Sequence, residues 1–423
     1  MTKLARKFSA PAFCAMSRLL TLALFLTLFG ASTVLAQTRA YVANINDNTV
    51  SVIDSATNTV VAIVPVGQLP ITVAVTPNGA FAYVANQGSH TVSVIDAATN
   101  TVIATVPVGL TPWATAITPN GAFVYVANQN SNTVSVIDTA TNTVTATIPV
   151  GLQPLGVAIT PTAAFIYVGN SGAGTVSVID ATTNTVSATI TGFSNPGNLA
   201  ITPDGAFAYV TNQGNSTVSV INTATNTVTA TIPVGVNPTF VDITPDGAFV
   251  YVSNFFSSSV SVIDTATNNV IATIPVVLGL PAGVAINPAG TFAYVAILTG
   301  NVVLQIDIAS NTVTASIPVG NGPAGVAFPT RAPVAVDPID SLIAQVQALV
   351  AGGSLTQSQG DALIGKLHEI KTKINTGQTN GACNQLSSFI NQVQGFINNG
   401  SLTASQGQAL IDAANAIKSS LGC

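Results

Sequence analysis

"YVANINDNTVSVIDSATNTVVAIVPVG", Tyr41 to Gly67, is written again almost word for word from Tyr83 as "YVANQGSHTVSVIDAATNTVIATVPVG". The Tyr-Val pair recurs at Tyr41, Tyr83, Tyr125, Tyr167, Tyr209, Tyr251 and Tyr294, a step of 42 residues five times and 43 once. Seven copies of one unit therefore fill Tyr41 to Pro329. Each copy holds four short runs of alternating or β-branched residues, as in Phe81–Ala85, Thr91–Ile95, Thr101–Val106 and Trp113–Ile117, each bounded by turn residues. Four strands in 42 residues is the size of a propeller blade. "TPNG" and "TPDG" supply Pro for a fixed φ and Gly for a left-handed closing residue. Asp54, Asp96, Asp138, Asp180 and Asp264 stand at a second turn, where a carboxylate accepts bonds from amides just downstream. These aspartates are turn residues, not catalysts.

The two ends of the array decide between an open solenoid and a ring. The chain enters on the Tyr41 strand without the "PxxVAITP" strand that precedes every other copy, and "PAGVAFP" from Pro323 supplies one such strand at the end. A seven-bladed β-propeller, closed by that last strand joining the first blade, uses every strand and leaves no open edge in the ring. "YVANQ", "YVTNQ" and "YVSNF", followed by "TVSVID", "NTVTATIPVG" and "TPDG", resemble the YVTN-family propeller repeats of secreted and surface-layer proteins. The resemblance covers Tyr41 to Thr330 and implies a binding or cell-surface role without an assigned activity. The last unit departs from the pattern, with "YVAILTG" and "LQID" for "YVAN" and "SVID".

Residues 1–36 are read as a secretory signal peptide: Lys3, Arg6, Lys7 and Arg18 precede the apolar "LLTLALFLTLFG", and small residues end at Ala36. That run is short for a membrane span, and no later stretch is apolar enough to be one. Cys14 falls in this segment, so the exported chain keeps Cys383 and Cys423, and one disulfide is expected in an oxidising compartment. From Gln37 on there are six basic residues against fifteen acidic ones, which argues against nucleic acid as a partner.

The propeller is expected over residues 37–330 and a proline-bearing linker over 331–338. From 339 to 423 the period becomes helical: Leu342, Val346, Leu349 and Val350 share one face, as do Phe389, Val393, Phe396 and Ile397. Two matching phrases, "GGSLTQSQG" and "NNGSLTASQG", carry the capping-box pairs Thr356/Gln359 and Thr403/Gln406. A duplicated helical hairpin, packed as a four-helix bundle, is predicted, with Cys383 and Cys423 at neighbouring helix ends. The tail resembles the FIMAH-type modules of secreted bacterial proteins, which lack an assigned activity. A dockerin is excluded by the missing spaced aspartates of a calcium loop.

For a site, the repeats serve as controls for each other. From Tyr41 to Thr330 there is no Glu, Lys, Arg or Cys, and one His. Seven-bladed lactonases and streptogramin lyases use carboxylate or histidine clusters in the channel, and this array offers no glutamate for one. No catalytic residue, metal or cofactor is expected. Asp242 is the channel candidate, standing where six innermost strands have alanine. His90 and the oxygen-rich loop Asn44, Asn46, Asp47, Asn48 are read as loop chemistry rather than as a triad member or a calcium site. Trp113, Phe193, Phe240, Phe255 and Phe256 are expected on connections along one rim, as a recognition patch for a protein or glycan partner. The reading is an exported, non-catalytic binding or scaffold protein, with the helical tail as a docking or oligomerisation module. The alternatives are a channel-centred small-molecule hydrolase or lyase and a purely structural surface-layer protein.

Overall fold

The computed structural model describes residues 39–329, 338–375, 378–421 and 423. The expected signal peptide and all of the linker but Pro338 lie outside these residues. The chain forms two compact units, divided between residues 332 and 333.

The first unit is a seven-bladed propeller of twenty-eight strands, four antiparallel strands per blade. Blade 2 is representative: β4 (Pro70–Val75) is innermost, followed outward by β5 (Phe81–Asn86), β6 (Thr91–Asp96) and β7 (Thr101–Pro107). We call these positions a to d. Blade 1 joins the two ends of the array, with β28 (Pro323–Ala327) as its strand a beside β1 (Arg39–Asn44), β2 (Thr49–Asp54) and β3 (Thr59–Pro65). The strand missing at the start is therefore the one supplied at the end, and closure removes the inner edge that an open array would expose.

Strand b carries the repeated tyrosine, fully buried between blades. The hydroxyls of Tyr83, Tyr167, Tyr209 and Tyr251 donate to the left-handed asparagines Asn142, Asn226, Asn268 and Asn311 of the next blade, at 2.7 to 3.0 Å. Burial pushes each of these phenols up to about 12. At the blade 1 to blade 2 interface Arg39 intervenes, donating to the Ala97 carbonyl at 2.5 Å. A second repeated device ends strand b: Asn128 Nδ2 donates to Thr133 and Ser135 on strand c, and its side chain fills the space over Gly109, where a Cβ would lie 2.7 Å away. The seventh blade has Ile297 in place of that asparagine and Val277 in place of that glycine.

The second unit is four helices, α1 (Pro338–Ala351), α2 (Gln357–Asn375), α3 (Thr379–Asn398) and α4 (Ala404–Leu421). Thr356 and Thr403 cap α2 and α4, each exchanging bonds with Gln359 or Gln406 as the sequence predicts. Leu342, Val346, Leu363, Leu386, Phe389 and Val393 are fully buried in one core. Gln359 reaches Ser401 and Gln406 reaches Ser354, so the two halves hold each other reciprocally. Cys383 and Cys423 are joined in a disulfide with Cα atoms 6.0 Å apart.

Candidate functional site

Antiparallel blades send the a–b and c–d turns to one rim of the ring and the b–c turns and d–a connections to the other. This sorts the charge. Eight aspartates stand on the first rim: Asp54, Asp96, Asp138, Asp180, Asp264 and Asp307 in c–d turns, Asp204 and Asp246 in a–b turns. Each c–d carboxylate accepts local amides; Asp138, for example, takes those of Ala140 and Thr141. The amide and hydroxyl of Thr141 hold the Asp138 carboxyl below the usual carboxylate range, and the hydroxyl and amide of Thr267 do the same for Asp264. An open cleft of about 340 Å³ lies on this rim between blades 2 and 3, lined by Thr76, Asn78, Phe81, Asn120 and Thr139 among others.

The second rim carries Asp47 and His90 as its titratable side chains. It is built as seven pairs of loops, and backbone bonds fix each pair. Gln87 N–H donates to the Leu69 carbonyl and Gly88 N–H to that of Gln68, at 3.0 and 2.9 Å; Asn130 to Leu110 and Phe256 to Val236 repeat the pattern in other blades. Each d–a connection is also tied to the preceding b–c turn. Asn48 accepts the Leu69 amide and Asn132 the Gln153 amide, from left-handed positions. His90 occupies the same position, with φ 58°, and its Nδ1 accepts the Thr111 amide at 3.1 Å. It does there what asparagine does elsewhere, which agrees with its reading as a loop residue.

Beside Asp47, His90 and several hydroxyls, the side chains that face solvent on this frame include apolar residues and amides. Leu110, Leu152 and Val236 are about half exposed, Phe256 is 65% exposed and Val277 88%. These aliphatic positions escaped the sequence reading, which looked for aromatic departures from the internal consensus. The signal was present: "GLTP" and "GLQP" leave two residues between a turn glycine and the proline that opens strand a, too few to belong to either strand.

The aromatic patch needs correction. Phe255 and Phe256 stand on a b–c turn of this rim, edge to face with ring centroids 5.2 Å apart. Trp113 lies inside β8 (Pro112–Ile117) and Phe240 inside β20 (Pro238–Ile243), both half-buried against blade-interface cores. Phe193 is on a d–a connection but is buried with Ile190 and Leu199. Strand a starts at the proline, so the next two side chains already wedge between blades instead of standing on the rim. The channel carries Asp242. Its residue is half-buried, but the carboxylate is enclosed: Oδ1 accepts the amide of Ile243 at 2.8 Å and Oδ2 that of Ile286, on β24 (Pro281–Ile286) of the next blade, at 2.7 Å. Desolvation pushes its pKa up to about 6, against the lowering effect of those two bonds.

The sequence matches the family described as "Lactonase, 7-bladed beta-propeller" over residues 35–148 and 167–272, more than half of the chain. The chain belongs to this lactonase-type propeller family. Residues 118–211 also match the description "YNCE-like beta-propeller", and 339–419 match the FIMAH domain, as the tail's resemblance implied. No curated protein matches the chain. Among solved structures, Kuenenia stuttgartiensis hydrazine synthase is similar at 27% identity and a TM-score of 0.58, over 62% of this chain and 90% of that one. A functionally unknown protein from Desulfotomaculum acetoxidans DSM 771 is similar at 20% identity and 0.62, over 69% and 98%. Dihydro-heme d1 dehydrogenase NirN in complex with DHE is similar at 16% and 0.56, over 70% and 76%. The last two likenesses speak to the fold alone.

Lactonase-type chemistry in a propeller channel calls for converging carboxylates or histidines. Among the described residues no group of three or more His, Cys, Asp or Glu converges on one point. Asp242 is the one ionisable side chain on the seven innermost strands, and both of its oxygens already accept backbone amides. This donor set does not fit a catalytic metal.

Proposed function

We propose that this protein is an exported, non-catalytic recognition module that engages a protein or glycan partner through the rim of b–c and d–a loops, with the helical tail as a separate docking or oligomerisation element. One observation carries the reading: the propeller segregates its charge, so that the loop rim is nearly uncharged, held rigid by paired backbone bonds, and tipped with solvent-facing Leu110, Leu152, Val236, Phe256 and Val277. Apolar tips on a preorganised frame lose little conformational entropy on binding. Export is supported by the basic and then apolar character of residues 1–36.

The test is capture from the producing organism's envelope and medium with the chain from Gln37, beside a Leu110→Asn/Leu152→Asn/Phe256→Ser variant and a chain ending at Thr330. A partner retained by the parent and lost by the rim variant supports the reading. A partner that survives the rim changes but vanishes with the tail transfers recognition to the helices. The competing reading, a channel-centred hydrolase, is favoured by the lactonase family match; turnover of a lactone abolished by Asp242→Ala would establish it.

A further inference from the structure

The chemistry of the loop rim narrows the partner. Besides its apolar tips it presents the side-chain amides of Gln68, Gln87, Gln129, Gln153 and Gln213, none of which hydrogen-bonds to another of the described residues. Gln68 and Gln153 stand on d–a connections, the other three open b–c turns, and together they cover blades 1 to 5. Each amide offers two donors and an acceptor. Their backbones are fixed: Gln87 donates to Leu69, Gln129 to Thr111 and Gln213 to Asn195, while Gln153 accepts from Ser171. Apolar side chains stand among the amides, as Leu69, Leu110 and Leu152, and continue past them as Val236, Phe255, Phe256, Val277 and Leu278 on blades 5 to 7.

Charge excludes other ligand classes. An acidic polymer needs arginine or lysine for its carboxylates or phosphates, and the rim has neither. A basic partner would seek aspartates, and eight of the propeller's ten lie on the opposite rim. A lipid surface would meet the apolar tips but leave the row of amides facing hydrocarbon without partners, which is costly. A ligand rich in neutral hydroxyls and carrying C–H faces satisfies the amides and the apolar side chains at once.

We propose that the rim binds a neutral, hydroxyl-rich polysaccharide: the amides of blades 1 to 5 hydrogen-bond its hydroxyls, and Phe256 with its apolar neighbours packs on the C–H faces of the sugar rings. This rests on the reading of the rim as the recognition surface. The experiment is native affinity electrophoresis of the chain from Gln37 through gels containing galactomannan, hydroxyethylcellulose or dextran as neutral probes and alginate as the acidic one. At least one neutral polymer retards the parent and alginate does not. A Gln87→Ala/Gln129→Ala/Gln153→Ala variant weakens the retardation tenfold or more, whereas Asp54→Asn/Asp96→Asn on the far rim leaves it unchanged; emission of Trp113 confirms that each variant is folded. Passage through all three neutral gels without retardation, equal retardation by alginate, or full retardation of the glutamine variant overturns the proposal. If no neutral polymer binds while a protein is captured through the rim in the preceding test, the glycan assignment falls and the recognition reading stands; failure of both removes the rim as a binding surface.

Discussion

Asp242→Ala tests the account of the channel. The carboxylate has a pKa of about 6 in the folded chain against an ordinary 3.8, because it is enclosed between two innermost strands. Between about pH 4 and 6 the folded chain holds a proton that the unfolded chain has released. Stability from this group is therefore complete below about pH 4, falls as pH rises through 6, and is gone above it. The whole effect is about 3 kcal/mol, of which roughly half falls between pH 5 and 7.5. Alanine occupies this position in the other six innermost strands, so the backbone accepts it. Losing the bonds to Ile243 and Ile286 shifts the variant's stability equally at every pH, and the other carboxylates titrate alike in both proteins, so the difference between parent and variant isolates Asp242. Trp113 is the single tryptophan and lies in the propeller, which makes its fluorescence a reporter of this unit within the intact chain. Urea unfolding at pH 5 and 7.5 should show the parent losing about 1 to 2 kcal/mol more than Asp242→Ala over that interval. Parallel pH dependence of the two proteins would mean that the carboxylate is hydrated and the enclosure argument is wrong.

Three further outcomes follow from named contacts. Ala163 sits at φ 58° in an a–b turn where five other blades have glycine, so Ala163→Gly should raise propeller stability by about 1 kcal/mol, read as a higher urea midpoint of the Trp113 signal. Tyr251→Phe removes a 2.7 Å bond to Asn311 across a blade interface and should cost about 1 to 2 kcal/mol in the same transition; no loss would show that the inter-blade tyrosines act through packing alone. Cys383→Ser opens a cross-link spanning 40 residues and should destabilise the helical unit by about 4 kcal/mol, visible by circular dichroism at 222 nm while the Trp113 transition stays in place.

Where the sequence was readable, the determining interactions are local. The strands, the left-handed turn residues and the aspartates that accept amides two and three residues on are all properties of a few consecutive positions, and seven copies repeat each signal. The capping boxes of the tail are equally local. Ring closure was legible because it is a matter of counting strands. The rim was not, because whether a side chain after the proline is exposed depends on how near the next blade comes. That approach is close: a Cβ on Gly156 would lie 2.4 Å from the Gly197 carbonyl of the following strand, and Phe240 and Trp113 are held in the same inter-blade layer. No spacing within one copy reports that distance. Asp242 was visible as a departure from alanine, but its bond to Ile286 in the next blade was not.

Variation among the copies separates fold from function on physical grounds. Positions that hardly change have assigned bonds: the tyrosine to the next blade's asparagine, the strand-b asparagine to two hydroxyls on strand c, the c–d aspartate or Asn222 to its own turn. The residues just before the proline read Leu69, Thr111, Gln153, Asn195 and Asn237 in successive blades, with no common chemistry. The backbones there are nevertheless equivalent, all left-handed and all bonded through their carbonyls to the next b–c turn. Because main-chain groups hold these loops, their side chains can change at little cost to the ring. A repeat that fixes its own scaffold and leaves one face free to vary concentrates the capacity for specificity on that face, and in this chain it is the face from which charge has been removed.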